Sequence, residues 1–135
     1  MSVVHMKVRA AIEAFLDSNW TTTSVRWSNT QLDTSSLAAY ITATILPVSA
    51  FQNVLGQSGG ERRDWLLVFQ VFTPADTGAG ANETIVDELE TLFNKRTIEE
   101  ATVGNIEFGV PFKHEVGETE GWFQLNLQVP FYLQS

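Results

Sequence analysis

The 135-residue sequence has no cysteine, only two histidines, and eight basic residues against sixteen acidic ones. The missing cysteines exclude disulfide frameworks, thiol nucleophiles and thiolate metal sites. A formal net charge of −8 at pH 7, without any cluster of basic residues, disfavours binding to nucleic acid phosphates. No run reaches the length of a transmembrane helix, and the N-terminus lacks the regions of a signal peptide. We therefore expect no membrane partner and a protein that stays in the compartment where it is made.

The sequence also has little that indicates catalysis or cofactor binding. His5 and His114 have no motif partner, and there is no Gly-x-Ser-x-Gly elbow. The turn with Gly78 and Gly80 lacks both the Lys-Ser/Thr ending of a P-loop and the third glycine of a dinucleotide fingerprint. The acidic segment 115–120 lacks the alternating ligands of a calcium loop, so we interpret it as a charged hairpin loop. We predict no catalytic residue, no cofactor, no metal and no enzymatic activity.

The residues that are present follow helix and strand periodicities. Apolar residues recur at helical spacing from Val3 to Leu16, and a second apolar stripe from Ile85 to Phe93 predicts another helix that ends near Lys95. Runs of β-branched and aromatic residues predict long strands, and the alternation of the last run predicts one buried side and one solvent-facing side. The predicted strands are 24–28, 38–49, 62–74, one or two within 102–115, and 121–133.

Three local features refine these boundaries. The strand at 62–74 is apolar on both sides, so it should be central in its sheet or covered on both sides. Pro47 cannot donate a ladder hydrogen bond, which indicates a sheet edge or the exit of its strand. Asp76, Thr77 and Asn82 are each suitable as the N-cap of the second helix, so the sequence leaves its start open.

The order of these elements predicts the fold class. A helix, strands, a second helix and further strands follow one another, with several connections of hairpin length. This order predicts an α+β fold with a mixed, mainly antiparallel sheet and two helices packed on one face. The chain has the length of one domain and contains neither a repeat nor an interdomain linker, so we predict a single domain over residues 1–135.

Four stretches of the sequence resemble one known family. They are the helix VRAAIEAFL, the strand YITATILP, the run WLLVFQVFTPADTGAGAN, and the closing GWFQLNLQVPFY. The most distinctive are F-x-V-x-x-P before a glycine-rich turn at Phe69 to Gly80, and W-x₇-P-[FY] at Trp122 to Phe131. From about Val8 to Tyr132 the chain is similar to the tail terminator proteins of long-tailed, siphovirus-type bacteriophages.

The resemblance implies a structural role in virion assembly. Tail terminators form a ring, usually of six copies, on the last ring of the tail tube, where they stop tube polymerisation and present a surface to the head-completion protein. The implied location is the head-proximal end of the virion tail, after assembly in the host cytoplasm. DNA would pass through the ring without sequence-specific binding, and the acidic net charge suits such a channel because it repels phosphates.

In this reading the two glycine-bearing segments become contact surfaces. Residues 50–61 are expected to be a loop that orders against a neighbouring subunit or ring, and residues 75–81 a turn that sets where the second helix leaves the sheet. Arginines at a strand start and tryptophans in irregular surroundings are further candidates for contact with another subunit. The predicted interface residues are Asn53, Leu55, Gln57, Ser58, Arg62, Arg63, Asp76, Trp20 and Trp27.

Two alternatives remain open at this point. A different head-tail joining or tail tube component can share a sheet-plus-helix core, and self-assembly separates it from a terminator because tube subunits form long filaments. From another class, a small α+β ligand-binding or hydrolytic domain would use a pocket with a titratable pair, such as His114 with Glu115 or Glu118.

Overall fold

The computed structural model describes residues 4–27, 39–52, 61–74, 79–119 and 121–134. Within these ranges the chain forms two helices and seven strands. In chain order the elements are α1 (Val4–Asn19), β1 (Ser24–Trp27), β2 (Tyr40–Gln52), β3 (Glu61–Pro74), α2 (Ala79–Phe93), β4 (Thr97–Glu100), β5 (Gly104–Phe108), β6 (Phe112–Thr119) and β7 (Trp122–Gln134).

Both predicted helices and the predicted strands are confirmed, whereas four short regions differ from expectation. The loop expected at 50–61 is shorter, because β2 continues to Gln52 and β3 begins at Glu61, and the turn expected at 75–81 is shorter, because α2 begins at Ala79. The four-residue strand β4 was not predicted, since its Thr-Ile-Glu-Glu sequence is too short to show a period. The interpretation of 115–120 as a charged loop is wrong in its described part, because Glu115 and Glu118 lie in β6. β6 pairs with β7 along its length, so the backbone groups on that side form ladder hydrogen bonds while its charged side chains are exposed.

The strands form one mixed sheet in the order β1-β2-β3-β7-β5-β4, with β6 also paired to β7. Only β1 and β2 run parallel, and all other neighbours are antiparallel. β3 lies between β2 and β7 and pairs with both over most of its length, which confirms its central position. The α+β class with a mainly antiparallel sheet is therefore confirmed.

One side of the sheet, which we call the core face, carries the hydrophobic core. Its rings extend to both helices, because His5 of α1 lies 4.8 Å from Trp65 and Phe93 of α2 lies 5.4 Å from Phe69. Placement of both helices on this one face stays a prediction. The core-face residues of the two longest paired strands are Trp65, Leu67, Phe69 and Val71 of β3, with Leu125, Leu127, Val129 and Phe131 of β7. They form one cluster with Val8, Ile12 and Leu16 of α1 and Ile85, Val86, Leu89 and Phe93 of α2.

The opposite side, which we call the second face, differs from the solvent-facing side that alternation predicted. Its positions are mostly half-buried, and the Gln124 side chain is buried. Its amides and hydroxyls pair with one another: Thr42 Oγ1 donates to Gln70 Oε1 at 2.7 Å, and Gln124 Nε2 donates to Asn126 Oδ1 at 2.8 Å. Alternation along a strand identifies its less apolar side, but it does not show how much of that side the neighbouring strands cover.

Pro47 lies on a sheet edge, as one of its two interpretations requires, but it does not end its strand. β1 pairs with β2 only as far as Ala43, so no strand in the described residues covers the outer side of β2 at Pro47. The register with β3 shifts between Pro47 and Ser49, and β2 continues to Gln52. A proline is tolerated here because edge strands and bulges are the places in a sheet where a missing N–H costs least.

Asn82 is not the N-cap of α2. It is the fourth residue of the helix, and its side chain is fully buried against the sheet. Its amide Nδ2 lies within donor distance of the Val71 carbonyl at 3.2 Å, the Thr73 hydroxyl at 3.0 Å and the Phe123 carbonyl at 3.2 Å. The amide therefore connects the start of α2 to both β3 and β7 rather than satisfying the helix's own N–H groups. The other two proposed caps, Asp76 and Thr77, lie outside the described residues.

Candidate functional site

The predicted interface residues divide into those that the structure describes and those that it does not. Asn53, Leu55, Gln57, Ser58 and Asp76 lie outside the described residues, so their contact roles stay predictions. The four remaining candidates lie in two separate places. Trp20 and Trp27 belong to the region where α1 meets β1, whereas Arg62 and Arg63 lie at the start of β3.

Trp20 is a core residue within its own chain. Only 7% of its surface is exposed, and its indole N–H donates to Thr23 Oγ1 at 3.0 Å. This burial leaves little of the ring for a neighbouring subunit. Trp27 is half-buried against the same core, and the Arg9 guanidinium lies 5.9 Å from its ring centroid. Strand register places Trp27 level with Phe69, far along β3 from Arg62, so the tryptophans and arginines do not form one site.

Arg62 is held on the second face by one contact within its own strand, β3, and one with the neighbouring strand β7. Its Nε donates to Asp64 Oδ1 at 3.1 Å, and its guanidinium lies 4.1 Å from the centroid of the Tyr132 ring. Asp64 is held in turn by Ser49, whose hydroxyl donates to Oδ2 at 3.2 Å. Each such contact contributes about 0.5–1 kcal/mol at a partly exposed site, so together they mainly position the guanidinium.

Tyr132 extends this group to β5. It is the cross-strand partner of Glu107, and its hydroxyl donates a hydrogen bond to the Glu107 carboxylate. This hydrogen bond, with the negative charge of Glu107, raises the pKa of Tyr132 above its ordinary value, while the Arg62 cation opposes the rise. The group Arg62, Asp64, Tyr132 and Glu107 therefore spans three adjacent strands on the second face.

A largely apolar groove of about 530 Å³ lies beside this group. Val48, Leu66 and Pro130 contribute its apolar side chains, and Arg62 and Asp64 contribute charge. Val48 is 64% exposed beside this groove, and it adds to the apolar surface that another molecule could cover. Sequence reasoning selected only Arg62 here. The missed residues lie on three strands distant in sequence, and no local pattern connects them.

Two other grooves were found among the described residues. One of about 490 Å³ lies between the end of α1 and α2, where Thr22 donates to Glu88 at 2.7 Å, and it also contains Arg96. A smaller one, about 190 Å³, lies beside Pro111. None of the three is lined by His114, Glu115 or Glu118.

Searches for metal sites and membrane spans cover the same part of the chain. In residues 4–27, 39–52, 61–74, 79–119 and 121–134, histidine and carboxylate side chains form no group of three or more suited to a metal ion. Neither helix in these ranges has the length and apolar character needed to cross a membrane.

Comparison with known proteins gives a family and a fold. Residues 7–131 match the family model described as phage tail terminator protein. No curated protein matches the sequence. A solved structure with 16% sequence identity superposes with a TM-score of 0.80, over 99% of this chain and 98% of the other chain. At that identity the superposition establishes the fold alone.

Proposed function

Because this chain belongs to the phage tail terminator protein family, whose members are structural components of the virion tail, we propose that it forms a ring on the end of the tail tube. The ring contains six copies of a single-domain subunit. One of its faces binds the last ring of tube protein and stops polymerisation, and the other binds the head-completion protein. The observation that carries this proposal is the family match over residues 7–131.

The distribution of exposed apolar side chains supports a role in assembly. Within the described residues, all but one of the large exposed hydrophobic residues lie on β2, on β6 or in the segment between β5 and β6. Exposed apolar residues concentrated along sheet edges are typical of surfaces that bind another chain. Those residues are Leu46, Val48, Val110, Phe112 and Val116, and the exception is Met6 on α1.

The division of the sheet into two faces supports the same arrangement. In our proposal both helices cover the core face, and the second face with its strand edges remains for neighbouring subunits. The exposed side of α2 carries Glu83, Asp87 and Glu88, which suits a subunit that must not bind the DNA passing through the ring. Catalysis has no part in this function.

The solution mass of the purified protein tests the ring directly. We expect light scattering over a range of concentrations to give a discrete large species, and negative-stain images to show closed rings. Added to polymerising tail tube protein, the rings should shorten the tubes and appear at one end of each. Long filaments of the protein alone would instead identify a tube component.

The same measurement also tests the alternative of a ligand-binding domain. A monomer whose mass is independent of concentration and that ignores purified tails would contradict the proposal. It would favour a ligand-binding domain.

A further inference from the structure

We infer that neighbouring copies join edge to edge, β2 of one copy against β4 of the next, with Arg62 of the first facing Glu99 of the second. The inference rests on the proposed ring and adds the surface and the residue pair that build it. The partner at this surface is a second copy of the chain.

In the described residues β2 beyond Ala43, β4 and β6 each have an unpaired side, and the inference concerns β2 and β4, which lie towards opposite ends of the strand order. β1 covers the outer side of β2 only as far as Ala43, and the residues from Leu46 to Ala50 are exposed. At the other end of the strand order β4 pairs only with β5, and its Thr97 and Glu99 are exposed. Pro47 and the bulge before Ser49 protect part of this edge from pairing, but from Ser49 to Gln52 the strand has no charge, no proline and no shift of register, so this part can accept another strand.

Strand register places the two open edges at the same level. Ser49 pairs with Asp64, Asp64 with Tyr132, Tyr132 with Glu107, and Glu107 with Thr97. If copies join through opposite edges of the same sheet, the symmetry axis of the ring lies close to the strand direction. Rotation about that axis leaves the position of each residue along the axis unchanged. Thr97 of the next copy therefore arrives beside Ser49.

The same strand register brings opposite charges close together across the proposed contact. Thr97, Glu99 and Arg62 share the second face, because side chains two positions apart point the same way. Glu99 lies two positions beyond Thr97, as Arg62 lies two positions beyond Asp64, so Glu99 of the next copy is level with Arg62. Only β2 lies between them, and two strand spacings of about 4.8 Å are within reach of two long side chains.

The contacts within one chain favour this pair over its neighbours. Glu100 is already engaged, since its Oε2 accepts the backbone N–H groups of Thr102 and Val103 at 2.6 Å each. Glu99 forms no ion pair with any other described residue. The Arg62 guanidinium has five N–H donors, so the bond from Nε to Asp64 leaves capacity for a second carboxylate.

A covalent test exploits the absence of native cysteine. Cα atoms of adjacent strands lie about 4.8 Å apart, within the range of a disulfide, so Ser49→Cys combined with Thr97→Cys should link copies under mild oxidation. We expect a ladder of oligomers on a non-reducing gel, ending at the full ring. Ser49→Cys with Thr91→Cys, an exposed position on α2, serves as the matched control and should stay unlinked. A monomer band alone from the Ser49/Thr97 pair, under conditions where the unmodified protein forms rings, would overturn the inference.

A charge exchange tests the residue pair. Arg62→Glu and Glu99→Arg should each raise the concentration at which half the protein is in rings by about tenfold or more, because like charges then face each other. The double exchange should assemble about tenfold or more better than Arg62→Glu alone, but short of the original, because Arg62→Glu also breaks the contacts with Asp64 and Tyr132 in its own chain. Glu83→Arg, the same change at an exposed position on α2, should have no effect.

The outcomes separate this inference from the proposed function. Glu99 forms no ion pair with another described residue, so Glu99→Arg should leave urea unfolding unchanged, and an effect of that variant on assembly is then separate from folding. If the unmodified protein forms rings while the double exchange assembles no better than the single variants, the inference is wrong and the proposed function stands. If the unmodified protein forms no ring alone or with tail tube protein, both fail.

Discussion

The core face and the second face belong to the same strands but satisfy their side chains in different ways. On the core face, the Phe93 ring lies within 5.5 Å of Phe15, Phe69 and Phe108. On the second face, side chains pair within and across strands through hydrogen bonds and a cation over a ring, and Val48 of β2 remains exposed at the groove beside them. We conclude that the core face supplies most of the stability, whereas the second face and its edges are suited to contact with other chains.

The largest effect should follow from a cavity on the core face. Phe93→Ala is expected to lower the free energy of unfolding by about 3–5 kcal/mol, because it removes a fully buried ring and leaves a cavity. Urea unfolding measures the change. Phe112→Ala is the matched control, since Phe112 is 51% exposed, and should change stability by less than about 0.5 kcal/mol. Similar losses for both variants would contradict the comparison of the two faces.

The connection between α2 and the sheet should give the next largest effect. Asn82→Ala is expected to cost about 1–3 kcal/mol, because acceptors on Val71, Thr73 and Phe123 lose their donor in a buried place. Asn94→Ala is the control, because Asn94 is exposed at the end of α2. Urea unfolding of both variants would show the difference, and equal stability of the two would mean that the buried amide does not hold the helix.

A charge on the second face should affect assembly rather than folding. Val48→Asp is expected to leave urea unfolding unchanged within about 0.5 kcal/mol, because the side chain is already exposed. The same variant should weaken the proposed ring by about tenfold or more, since a carboxylate is desolvated in the contact. Light scattering measures the mass distribution. A stable variant with unaltered assembly would show that Val48 is not in the contact.

The smallest effect concerns alkaline pH. The pKa of Tyr132 is raised in the folded chain by its hydrogen bond to Glu107, so the folded state holds this proton more tightly than the unfolded state. The resulting stabilisation is complete below the unfolded pKa of about 10 and is lost as pH rises through the folded pKa. Tyr132→Phe should flatten the fall in melting temperature above about pH 10. Tyr40, whose pKa is raised by burial, should keep its own contribution in that variant, so an unchanged pH profile would contradict the role of Tyr132.

The sequence predicted the elements whose pattern of apolar and polar residues can be recognised within a single segment. α1, α2 and β7 each carry their own apolar period and β3 is a run with apolar residues on both sides, and segments of that length show such patterns clearly. β4 and β6 do not, because they lie at the edges of the sheet and owe their conformation to pairing with β5 and β7. Asn82 failed as a cap for the same reason, since its partners are on strands packed against the helix.

The sequence by itself determined the class of fold, the central strand, most of the core, and a resemblance that the family match confirms. Only the tertiary structure decided which residues that are distant in the sequence lie close together. Arg62, Glu107 and Tyr132 lie on three different strands and meet because register aligns those strands. Periodicity is a property of one segment, but register depends on burial and turn geometry across the whole sheet. Likewise, the open edges of β2 and β4 are seen to lie at the same level only when the strand order and register are known.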